Sequence, residues 1–134
     1  MTFRSRARRL KLRDRGFTLI EMLVVISMIL ILLSIALPMY NQAVQHSRET
    51  RLHHDLKTLN DAIDRYSLDK GHAPQSPDEL VSAGYVKFIP DDITGSKDSW
   101  KWDQEDPQNA WDVNNPGIGS VHSGGPEPYS SWDH

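Results

Sequence analysis

"RGFTLIEMLVVISMILILLSIALP", residues 15–38, places one carboxylate, Glu21, near the start of an otherwise membrane-like run. From Phe17 to Leu37, 21 residues are interrupted only by Thr18, Glu21, Ser27 and Ser34. At ~1.5 Å of rise per residue this gives roughly 32 Å of helix, enough to cross the hydrocarbon core of a bilayer. A secretory signal peptide fits poorly, because its apolar region runs about 7–15 residues and ends at a small-residue cleavage site. Ile35-Ala36-Leu37-Pro38 provides no such site. A plain signal anchor explains the length and leaves Glu21 unexplained. A carboxylate at a membrane-helix centre costs about 2.5–3.5 kcal/mol on insertion scales, and such residues usually face a protein partner.

Working outward to the N-terminus, seven bases (Arg4, Arg6, Arg8, Arg9, Lys11, Arg13, Arg15) stand against Asp14, so residues 1–16 carry +6. The rest of the chain sets 8 basic against 17 acidic side chains, a balance of −9, and the whole sums to −3. The basic leader orients the span with its N-terminus in the cytoplasm and its C-terminal body outside. An acidic body repels phosphate backbones, so nucleic acid is not an expected partner. The absence of cysteine excludes disulfides and thiol catalysis. Gly16 opens the chain for a protease immediately before the helix. A cut between Gly16 and Phe17 would free an α-amino group one helical turn from Glu21. That amine could pair with Glu21 of the same or a neighbouring subunit, at a helix end that already favours negative charge.

A basic leader ending in Gly16, then Phe17, then Thr18 to Glu21 and about twenty apolar residues, resembles the class III signal of type IV pilins and type II secretion pseudopilins. The resemblance implies cleavage after Gly16 by a prepilin peptidase, N-methylation of Phe17, and an assembly role for Glu21 in neutralising the amine of an adjacent Phe17. Pro38 removes the helical bond to the carbonyl of residue 34 and clashes with it, so Ser34–Pro38 is a kink or loosened turn. The family usually bends at a proline in this position.

Downstream, Asn41 to Lys70 contains neither Gly nor Pro, and Leu52, Leu56, Leu59, Ile63 and Tyr66 recur at spacings of 4, 3, 4 and 3. That is the stripe of an amphipathic helix with one buried face. Five positions are too few for a coiled-coil seam. Gly71 after Lys70 reads as the helix stop, so one helix is expected from about 18 to 70. In "GHAPQSPDELVSAGY" (71–85), Ser76, Pro77 and Glu79 read as a capping box opening a short helix over 77–83, closed by Gly84. "YVKFIP" (85–90) reads as a strand, as do residues near Trp100–Trp102, "NAWDV" (109–113) and "GIGSVHS" (117–123). Trp100, Trp102, Trp111 and Trp132 are expected to supply much of a small core.

The fold class is therefore α+β. A long N-terminal helix, with a transmembrane half and an amphipathic half, packs on a small antiparallel sheet. The expected segments are a cleaved leader (1–16), a transmembrane and assembly helix (17–38), and a periplasmic helix and head (39–134). Residues 61–74, 76–100 and 116–132 extend the resemblance to the G-type major pseudopilin of type II secretion. Its calcium-binding members carry a run of Asp before the last tryptophan. Here Glu127 is the single acidic residue between Gly124 and Ser131, so a structural calcium is the one cofactor left open and no metal ligand is assigned.

No catalytic site is expected. His46, His53, His54 and His72 form no H-x-x-x-H pair, and no G-x-S-x-G elbow surrounds the serines beside His122. Asp103, Glu105, Asp106 and Asp112 lack calcium-loop spacing. Nor is there a Gly-rich phosphate loop, so assembly energy must come from a partner ATPase. The expected function is that of a pseudopilin in the bacterial inner membrane. It would self-assemble with other pseudopilins or pilins into a helical filament, in the periplasm or at the cell surface, through an inner-membrane assembly platform. The alternatives are a major or minor type IV pilin, or a membrane-anchored module that caps such a filament. Pilin-like proteins at filament tips often lack the glutamate that this chain has at position 21.

Overall fold

A computed structural model describes residues 16–132; the basic side chains of the leader lie outside the described residues. The element order is α1 (Leu19–Lys70), α2 (Pro77–Ser82), β1 (Lys101–Gln104), β2 (Ile118–His122) and a 3-10 turn over Tyr129–Ser131. The chain divides into two compact units, the first ending at Asn41 and the second starting at Gln42.

In the first unit, α1 exposes every described side chain up to residue 41. Helix geometry satisfies the backbone within one segment, which is what a lipid environment demands. The hydroxyls follow the same rule. Ser27 Oγ donates to the carbonyl of Leu23 at 2.7 Å, and Ser34 Oγ to that of Ile31 at 2.6 Å. The helix is long and apolar enough to cross a membrane. It keeps its helical assignment through Pro38.

In the second unit the apolar stripe behaves as its spacing dictates: Leu52, Leu56, Leu59, Ile63 and Tyr66 are all buried. Leu80, Val86, Trp100, Ile118 and Val121 complete the cluster around them. Asn60 is buried with the stripe. Its Oδ1 accepts the Val121 N–H at 3.0 Å and its Nδ2 donates to the Val121 carbonyl at 3.2 Å. Gly71 ends α1 at φ +73, a left-handed conformation that glycine adopts without Cβ strain. β1 and β2 pair antiparallel, Lys101 opposite His122 and Trp102 opposite Val121, with a shift in register between Asp103 and Gln104.

Four expectations are corrected. Residues 85–90 form no strand, because the N–H groups of Tyr85 and Val86 both turn back to the carbonyl of Leu80, at 3.0 and 3.2 Å. Residues 109–113 form turns, with Asn109 N–H bonded to the Asp106 carbonyl and Asn115 N–H to that of Asp112. Trp111 accordingly stays 52% exposed, while Trp100 is buried and Trp102 and Trp132 pack against the core. Ser76 is the N-cap of α2, but its side chain makes no cap bond. Glu79 reaches past it to the Gln75 N–H at 2.9 Å and also accepts from the Tyr66 hydroxyl at 3.2 Å.

Candidate processing and assembly site

Of the predicted residues, Glu21 lies in the first turn of α1, and Gly16 and Phe17 lie just before it. Thr18 joins them; the sequence marks it only as the start of the run to Glu21, with no role of its own. The Thr18 N–H donates to Glu21 Oε2 at 2.9 Å, and the Glu21 N–H donates to Thr18 Oγ1 at 3.2 Å. This reciprocal pair is a capping box, and it satisfies two of the four N–H groups that a helix start leaves unpaired. The signal was present as T-x-x-E immediately before an apolar run. Glu21 thus has a local partner as well as any partner on another chain.

Around this carboxylate the surface is apolar. Phe17, Ile20, Val24, Val25 and Met28 line a shallow groove with Glu21. Phe17 is 80% exposed and Leu19 82%. A Cβ placed on Gly16 would meet nothing within 4 Å among the described residues. Packing therefore makes no demand for glycine at that position. Pro38 lies inside α1, 17 residues beyond Glu21.

The other candidate groups do not converge. His53 stacks on Trp132 with ring centroids 4.1 Å apart, and His72 meets the edge of Tyr66. His122 Nδ1 lies 2.6 Å from Asp103 Oδ2 across the two strands. Glu105 accepts the N–H groups of Trp111 and Gly117, while Asp106 and Asp112 accept those of Gln108 and Asn114. Asp106 and Asp112 thus each close a local turn, and Glu105 ties residues 111 and 117 together. Among the described residues no group of three His, Asp or Glu side chains is arranged to hold a metal ion. In the loop before Trp132 the Glu127 carboxylate accepts from Ser130 Oγ at 2.5 Å, and no second acidic side chain accompanies it.

Three tyrosine hydroxyls in the second unit titrate above the ordinary range. Burial is the main cause at Tyr66, with the Glu79 charge and hydrogen bond adding to it. At Tyr85 the hydrogen bond to Asp69 comes first, and at Tyr129 the one to Glu49; desolvation adds to each.

Comparison with known proteins agrees with this geometry. Residues 11–37 match the family model described as "Prokaryotic N-terminal methylation motif". The chain is 32% identical over 100 residues to type II secretion system core protein G of Escherichia coli (strain K12), covering 63% of this chain and 69% of that protein. It is 33% identical over 100 residues to the core protein G of Klebsiella pneumoniae, covering 63% and 71%. The type IV major alpha-pilin of Moraxella bovis is 40% identical over 66 residues, covering 49% of this chain and 41% of the pilin. No solved structure matches the chain. A methylation motif over the capped apolar helix, with sequence similarity at this coverage, makes the chain a member of the type II secretion system core protein G family of pseudopilins.

Proposed function

We propose that this chain is a structural pseudopilin, made as a prepilin and assembled through its N-terminal helix into a filament that promotes protein secretion. A prepilin peptidase cuts between Gly16 and Phe17, and the new Phe17 amine is N-methylated. Before assembly the subunit is anchored in the inner membrane by a single span, with its N-terminus cytoplasmic and its head periplasmic. An assembly platform and its ATPase then draw the helix outward, and a loosened turn at Pro38 lets the helix adjust as it packs.

The observation that carries this reading is Glu21, the one charged side chain among the described residues of the exposed apolar stretch, in the first turn of α1 and capped by the Thr18 N–H. A carboxylate in lipid calls for a partner. The amine of a neighbouring Phe17 is one, and that pairing ties the axial position of one helix to the next. Such a pair sets registry more than it adds net stability. Core protein G relatives match a longer part of this chain than the Moraxella pilin does, which favours a secretion filament over a type IV pilus.

Intact mass spectrometry of membrane-extracted protein tests the reading. The expected species begins at methylated Phe17. A chain that retains Met1 in cells with an active prepilin peptidase would rule out the processing step and the assembly role with it.

A further inference from the structure

The second unit holds a buried carboxylate that the assembly reading does not use. Asp92 is 3% exposed. Its Oδ1 accepts the Ile93 N–H at 2.7 Å and Ser123 Oγ at 2.6 Å. Its Oδ2 accepts Ser99 Oγ at 2.9 Å and the Gly124 N–H at 3.1 Å. An ionised carboxylate has about four lone-pair sites, so these four donors fill it. Ser123, fully buried, passes the connection on by accepting the Gly125 N–H at 3.0 Å.

These bonds join three stretches of chain: the turn over residues 92–99, the residue just after β2, and the glycines that begin the C-terminal segment. Close packing accompanies the bonds. A Cβ on Gly124 would collide with the Ser99 carbonyl, and one on Gly125 would stand 2.7 Å from Ile93 Cγ2. The C-terminal segment enters along a path that admits only glycine and that Asp92 holds in place. Beyond it, Trp132 reaches the core edge and stacks on His53.

The family resemblance implies calcium-binding members with a cluster of Asp in the loop before this tryptophan, whereas here Glu127 is the single carboxylate of that loop and accepts from Ser130 Oγ, a donor set that does not suit the ion. We propose that Asp92 holds this loop without an ion: its bonds from Ser123 and Gly124 tie the start of the C-terminal loop to the turn that its bonds from Ile93 and Ser99 organise, and the head of this chain therefore keeps its fold without calcium. Charge-assisted hydrogen bonds to an ionised acceptor are shorter and stronger than neutral ones, which suits one carboxylate to organise a whole loop. The lock concerns the head alone and holds whether or not the filament forms.

The test is thermal melting of the full chain in detergent micelles, followed by tryptophan fluorescence, with excess chelator and with millimolar calcium. The wild-type midpoint is expected to be the same in both. Asp92→Asn turns an amide N–H toward donors and should lower the midpoint by on the order of 10 °C. Calcium should not restore it, and limited proteolysis should newly cut between Gly124 and Trp132. If Asp92→Asn does not fold, Ser99→Ala and Ser123→Ala each remove one donor and should lower the midpoint by a few degrees. A wild-type midpoint that falls in chelator and rises in calcium would overturn the proposal. So would serine variants and an Asp92→Asn variant that melt and resist protease like wild type.

Discussion

The two halves of α1 share one backbone conformation and have opposite surfaces. Between Leu19 and Tyr40 the helix exposes apolar side chains on every face. Between Leu52 and Tyr66 it buries one stripe under the head and leaves the opposite face polar. The difference shows that helix formation alone says little about environment. An all-round apolar helix needs lipid or other helices around it, whereas a single stripe is completed by its own chain. Secondary structure is common to both halves, and the pattern of side chains assigns each its solvent.

The largest expected effect breaks this contrast at Glu21. Glu21→Leu makes the first half uniformly apolar and removes both the cap on Thr18 and the charge. Filament yield in the sheared fraction should collapse while cleavage after Gly16 continues. Glu21→Gln separates the two roles, because glutamine still completes a capping box but carries no charge. An assembly defect as deep in Glu21→Gln as in Glu21→Leu would assign the effect to charge. Wild-type assembly in Glu21→Gln would assign it to the cap.

Next in size, Leu59→Ala in the second half should destabilise the head by about 2–5 kcal/mol, transfer and cavity terms together. Leu30→Ala, on the uncovered first half, should leave the same denaturant melt unchanged. Equal losses at both positions would erase the distinction between the halves. Asn60→Ala leaves the Val121 N–H and carbonyl buried without partners and should cost about 1–3 kcal/mol. A loss within error there would mean that water replaces the amide.

The smallest effect belongs to the tyrosines. Tyr129→Phe removes the hydroxyl bonded to Glu49 and Gln45 and should lower stability only slightly near neutral pH. For Tyr66, Tyr85 and Tyr129 the folded chain holds the phenolic proton more tightly than the unfolded chain does. That contribution is complete below the ordinary tyrosine value of about 10 and is lost as pH rises through the higher folded values. Stability should therefore fall with rising pH above about 10, and less steeply in Tyr129→Phe, as followed by tyrosinate absorbance alongside the melt.

Periodic elements were legible in the sequence. The 4-3-4-3 stripe, the stop at Gly71, the short helix after Ser76 and the two paired strands follow from patterns that local geometry enforces. The segment 85–90 misled because β-prone residues state a preference for a pleated surface without supplying a neighbouring strand. Its amides were captured by Leu80, a residue already committed to α2. The Asp92 network was illegible for a different reason. Its partners Ser99, Ser123 and Gly124 lie 7, 31 and 32 positions away, and no spacing rule connects them. Within the first turn, Glu21 stood out by its charge. Thr18 did not, although its N–H holds that carboxylate and its hydroxyl accepts the Glu21 N–H in return.

The paired bonds between Asn60 and Val121 also bear on crowding. A two-stranded sheet has open edges, and an open edge invites another chain to add a strand. Along β2 the Val121 N–H and carbonyl are taken by one helical amide, and the Ile118 N–H is taken by the Pro74 carbonyl at 2.7 Å. Copies of this chain brought close together therefore find little template for strand-to-strand aggregation along this edge. Association is left to the helix built for it.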